Sequence, residues 1–242
     1  MDTPSRVPAR PEPLAHGWVA AFLQAGDSAY PTGAYAHSFG LEGLCAGGHP
    51  RDLEGLRAFL LGQLLPQLEA CDLPVAAAVW RIAAEEADWS AVGQWCRMGA
   101  ALRGTREARE ACEAIGRQRA ELAARLHGGA CATFVEQARA EAWPIPSFVA
   151  AAVEGSALGV PLEAVLIGLV YSAVSGVIAA AVKLLRLGQN ACQLLLREVL
   201  AQAPECLRCA LARPEEDLGS FNPWWDIASS RHETAEFRLF IS

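Results

Sequence analysis

AVLIGLVYSAVSGVIAAAV, residues Ala164 to Val182, is the stretch on which the fold turns. It carries no charge over roughly 19 residues, enough for a helix to cross the hydrocarbon of a bilayer. Glu163 precedes it, Lys183 and Arg186 follow, and small residues recur every fourth position at Gly168, Ser172 and Gly176. That spacing lets helices approach closely. A membrane span and a buried core helix both fit these facts. Tyr171, Ser172, Ser175 and the alanines leave the stretch only mildly hydrophobic. Aromatic belts and a basic cluster at one end, which anchor a span, are missing. The flanking chain is rich in amphipathic segments that need something to pack around. The expectation is therefore a central, fully enclosed helix, with no membrane.

Upstream, Leu14, Trp18, Val19, Phe22 and Leu23 share one helical face, and the run from Asp27 to Gly33 breaks that helix. Helical reading resumes near His37 and stops at Gly47-Gly48. Asp52 can cap a helix from Leu53 to Leu68, and Pro74 can sit in the first turn of the next, to about Glu86. Asp88 caps a helix carrying Trp89, Trp95 and Met98. Thr105 opens a long charged one to Leu126. Further helices are expected at 130–142, 147–158, 191–201 and 204–211. Alternation long enough for a strand is missing. The prediction is an all-α, single-domain bundle of about ten helices spanning 14–212. Residues 1–13 hold Pro4, Pro8, Pro11 and Pro13 and read as a flexible N-terminal tail. Residues 213–242 carry Pro214, Pro223 and Trp224-Trp225 and read as a mostly irregular C-terminal tail with at most one or two helical turns.

Hydrophobic residues make up 52% of the 242 and charged residues 19%, too apolar for a disordered chain. A formal charge of −7 without a basic run argues against nucleic acid as a partner. The first ten residues lack the apolar region of a signal peptide, so the eight cysteines read as reduced and the compartment as cytoplasmic. Catalytic signatures are missing: there is no GxxxxGK[ST] loop and no GxSxG elbow. His232-Glu233-Thr234-Ala235-Glu236 ends in Glu where a zinc peptidase has His. Cys206 and Cys209 form a single CxxC with no second pair. An enzyme using His37 or His232 as a base would need a nucleophile and an orienting carboxylate, and the sequence names no such set. The reading is a protein-binding molecule without cofactor or catalytic residues.

Three segments stand out as motifs. One runs LQAGDSAYPTGAYAHSFGLE from Leu23 to Glu42; a second runs AAVKLLRLGQ from Ala180 to Gln189; a third is DIASSRHET from Asp226 to Thr234, followed by Arg238-Leu239-Phe240. In order and spacing they resemble the UreF family of urease accessory proteins, from about residue 18 to the C-terminal end. Gly116-Arg117-Gln118 is similar to a further family segment. The chain departs from the family pattern at Ala34, Cys192 and Ala235-Glu236-Phe237.

The resemblance implies a non-catalytic, usually dimeric factor in nickel metallocenter assembly. Such a factor binds a UreD protein (UreH in some organisms), recruits the GTPase UreG, and acts on apo-urease. By resemblance, Glu42, Lys183 and His232 match positions of the UreG-facing surface. Pro31, Gly33 and Gly40 suit a tight turn that holds Tyr35, His37, Ser38 and Glu42 in a fixed arrangement. Lys183 also ends the apolar helix, where a cation favours the helix dipole. In the tail, Trp224, Trp225 and Phe240 supply apolar anchors and Arg231, Glu233 and Arg238 supply charge; residues 221–242 are expected to order on a UreD-type partner. His37 and His232 lack Asp or Cys at ligand spacing, so no metal site is expected.

Overall fold

The structure, a computed structural model, describes residues 16–86, 88–235 and 237–242; the tail expected at 1–13 lies outside them. The described residues form helices and no strand. In chain order these are α1 (Trp18–Ala25), α2 (Leu41–Ala46), α3 (Leu53–Phe59), α4 (Leu65–Gln67), α5 (Leu73–Arg81), α6 (Trp89–Ala101) and α7 (Arg106–His127). Then come α8 (Gly129–Ala140), α9 (Ser147–Ala157), α10 (Leu162–Leu185), α11 (Gln189–Leu200), α12 (Ala203–Ala212) and α13 (Pro223–His232).

The capping residues read from sequence start the helices they should. Asp52 accepts the Gly55 amide at 2.8 Å, Asp88 that of Ala91 at 3.1 Å, and Thr105 that of Ala108 at 3.3 Å. Pro74 behaves differently from expectation: it opens no new helix. From Leu53 to Glu86 the chain is one continuous rod in which π-helical turns at Leu60–Leu64 and Leu68–Asp72 alternate with α4 and α5. These two turns lie just before a proline, Pro66 or Pro74, whereas a third, at Ile82–Glu86, ends the rod with no proline after it. Proline lacks the amide proton and crowds the carbonyl four residues back, and a locally widened turn relieves both conflicts.

The apolar helix expected at the centre of the bundle is there as α10, but it is enclosed on one side only. α10 buries Val165, Leu166, Val170, Val174, Val177 and Ile178, but Ile167 and Tyr171 on its other side are each 44% exposed. Although Leu162–Leu185 is long and apolar enough to cross a membrane, 44% of its most apolar window is buried in this bundle. Full enclosure falls to α9, where every residue from Phe148 to Gly155 is buried between α5, α7 and α10. Gly116 on α7 makes that possible, since a Cβ there would stand 1.9 Å from the Ile145 carbonyl oxygen. Within 213–242, α13 is ten residues long, more than the one or two turns expected, while most of the remainder is irregular.

Candidate functional site

The site assembles where the start of α2, the start of α7 and the C-terminal segment meet. Gly40, at φ +80°, turns the chain into α2 and leaves room for Trp225, whose ring would stand 2.4 Å from a Cβ at that position. α13 packs its Trp225, Ala228, Ser229 and His232 face inward, the spacing of one helical stripe. Trp225 donates its indole N–H to the Phe39 carbonyl at 2.9 Å and meets Phe59 edge-on, ring centres 4.9 Å apart. The Ser229 hydroxyl lies 3.0 Å from that of Thr105, the cap of α7. The sequence pattern hides this helix because Trp224 and Ile227 face outward while Trp225 faces inward, so no single apolar stripe is readable.

At the end of α13, His232 is 3% exposed and held between two carboxylates. Its Nε2 is 2.9 Å from Glu42 Oε2, and its Nδ1 is 3.0 Å from Glu107 Oε2. Because the carboxylates sit on opposite ring nitrogens, the three groups cannot converge on one ion. Among the described residues no group of three or more His, Cys, Asp or Glu is placed to hold a metal.

The same carboxylates capture the last residues of the chain. Glu42 accepts the Leu239 amide at 2.7 Å and the Phe240 amide at 3.0 Å, and Arg238 donates to Glu107 at 3.1 Å. Beyond them, the Ile241 amide donates to the Ala36 carbonyl at 2.8 Å. Ser38 donates its hydroxyl to the Ser242 carbonyl at 2.8 Å, and His37 Nδ1 is 2.7 Å from the Ser242 hydroxyl. Burial holds the His37 imidazole below its ordinary pKa, with the Glu107 charge opposing. Phe240 is buried, and Lys183 Nζ lies over its ring at 5.1 Å from the centre. The segment thus packs on its own chain, through contacts the sequence assigned to a partner.

The fold therefore brings the three motifs together. Glu42 and His232 touch directly, and Lys183 reaches them through Phe240. Glu233 pairs with Arg106 of α7. Pro31 and Tyr35 are exposed, and Gly33, at φ +79°, makes the turn between them. Trp224 and Arg231 lie on the exposed side of α13. The outer surface of this region is apolar: Phe221, Trp224, Ile227, Phe237, Leu239 and Ile241 are all exposed. Glu107, Thr105 and Arg106 are the site residues the sequence did not reveal. Thr105 was legible as a cap, but Glu107 reads as one solvated charge among many in an Arg- and Glu-rich helix.

The cysteines take no part. All eight are free, and burial pushes the thiols of Cys96 and Cys206 up to about 12. Cys206 faces the Leu65 carbonyl and Cys209 the Glu205 carboxylate.

Comparison with known proteins gives one consistent result. The UreF family model matches residues 51–200. A urease accessory protein UreF of Alkalilimnicola ehrlichii is 35% identical over 215 residues, 88% of this chain and 90% of that one. The Pseudomonas putida UreF is 34% identical over 230 residues, covering 91% and 96% of the two chains. A Bordetella bronchiseptica protein named bifunctional urease accessory protein UreEF is 34% identical over 232 residues, covering 95% of this chain and 53% of that one. The chain belongs to the UreF family of urease accessory proteins.

Proposed function

We propose that this accessory protein is a non-catalytic, cytoplasmic scaffold for nickel metallocenter assembly. It binds a UreD/UreH-type protein, recruits the GTPase UreG, couples the GTPase cycle to nickel delivery into apo-urease, and works as a homodimer. Nickel is cargo in this reading, and the chain supplies no tight site of its own. Residues 14–212 form the body and 213–242 the partner-docking segment.

The observation that carries the reading is the convergence of Glu42, Lys183 and His232 beneath an apolar outer layer. Trp224, 77% exposed, and Phe237, 90% exposed, flank charged groups that are already engaged. Partner surfaces commonly combine aromatic anchors of this kind with a polar surround. His232 is buried, so its part is to hold the tail in place, while Lys183 and Tyr35 remain exposed to a partner. The exposed side of α10, with Ile167 and Tyr171, is the surface offered for the second copy.

The test is co-expression with a UreD homologue and nucleotide-bound UreG, read by size-exclusion chromatography with light scattering. A stable complex is expected, weakened by Trp224→Asp or Phe237→Asp, which alter exposed positions only. A well-folded chain that associates with neither partner would overturn the assignment.

A further inference from the structure

A second polar cluster is built into the interior, away from the tail. Glu154 on α9 is 1% exposed, the most deeply buried charged residue of those described. The Tyr30 hydroxyl donates to its Oε1 at 2.6 Å, and Arg119 of α7 donates Nε to its Oε2 at 2.7 Å. Arg119 Nη2 is also 2.7 Å from that oxygen, and His127 Nε2 is 3.6 Å from the other. The Arg119 guanidinium lies over the Tyr30 ring, 5.7 Å from its centre.

Holding α7 to α9 does not require this arrangement. Well-packed apolar groups of similar volume commonly replace a buried ion pair without loss, and often with a gain. What apolar groups do not supply is direction. Tyr30 belongs to the stretch between α1 and α2, which holds one short 3₁₀ turn at Ala34–Ala36 and is otherwise irregular. Three residues on, Gly33 turns against Gln118, where a Cβ would stand 3.2 Å from the side-chain oxygen. Gln118 is the neighbour of Arg119, so Tyr30 and Gly33 are both registered on adjacent residues of α7. From there the chain passes through that 3₁₀ turn to Ala36, His37 and Ser38, which hold residues 241–242, and on to Glu42.

We infer that Glu154, with Arg119, is a positioning residue that sets the path of residues 27–40, so that the docking face around Glu42 assembles only when Tyr30 is seated on it. The functional half of this inference rests on the docking role proposed above; the structural half does not. The test uses Tyr30→Phe, which keeps the ring and removes one hydrogen bond, and the triple variant Tyr30→Phe, Arg119→Met, Glu154→Leu, which makes the cluster apolar. Three quantities are measured in the full chain: the urea midpoint, amide exchange across 30–42, and affinity for a UreD homologue. The triple variant is expected to keep at least the parent midpoint, exchange at 32–42 at least tenfold faster, and bind the UreD homologue at least tenfold more weakly. Tyr30→Phe should shift exchange in the same direction by a smaller factor. Exchange and binding like the parent in a folded triple variant would reduce the cluster to ordinary core. Should the triple variant fail to fold, parent-like exchange in Tyr30→Phe overturns the idea on its own. If the parent chain binds no UreD homologue while exchange at 32–42 still accelerates, the docking role fails and the positioning role stands.

Discussion

The α5–α9–α10 centre and the α13–tail layer are held by opposite kinds of force. In the centre, Val75, Val79, Val149, Val153, Leu166, Val170 and Val174 are buried against one another. Burial of that kind is non-directional and contributes roughly 1.5–3 kcal/mol per large side chain. The tail layer leans on direction: one histidine between two carboxylates, one arginine, and backbone amides from residues 239 and 240. Such contacts fix geometry more than they add stability, because each exchanges good hydrogen bonds to water for hydrogen bonds within the protein. Folding and tail docking should therefore come apart under mutation.

The largest effect is expected in the centre. Phe148→Ala removes a 2%-exposed ring that lies under Arg103 and should cost about 3–5 kcal/mol in urea unfolding. Loss of exchange protection throughout the bundle should accompany it. His232→Ala should act on the other region. It leaves Glu42 and Glu107 without the ring that bridges them and should weaken tail docking by about 2–3 kcal/mol. Exchange should rise across 223–242 while α5 and α9 stay protected; an equal rise everywhere would erase the distinction between the regions.

Acidification should produce a milder version. With its folded pKa below the ordinary 6.5, the His37 ring binds a proton more weakly when packed against Ser242 than when free. Its contribution is present above that ordinary value and is lost as pH falls through it toward the lowered folded one. Tail exchange, corrected for intrinsic rates, should rise below about pH 6.5, and His37→Gln should flatten the dependence. Lys183→Ala removes one cation–π contact to Phe240, worth about 0.5–1 kcal/mol, and should loosen only residues 239–242. Smallest is Trp224→Ala, expected within about 0.5 kcal/mol of the parent in unfolding, because the side chain is exposed. Its effect should appear in partner binding alone.

The sequence by itself determined the family and most of the helices. Caps at Asp52, Asp88 and Thr105 and the apolar run from Ala164 to Val182 are local signals, written within a few turns of chain, and the three motifs are legible as strings. Interruption of the helix before Pro66 and Pro74 was readable in principle, but whether a proline ends a helix or widens it depends on what the continuing rod packs against. Which helix is enclosed, and which residue faces which, only the tertiary structure decided. α9 is shorter than α10 and gave the weaker signal, yet it has neighbours on all sides. His232 meets Glu42 and Glu107 across sequence separations of 190 and 125 residues. Tyr30 meets Glu154 across 124. Hydrophobic periodicity records how much of a segment faces inward but carries no address for its partner, so a buried charge and a solvated one look alike until the chain has closed on itself.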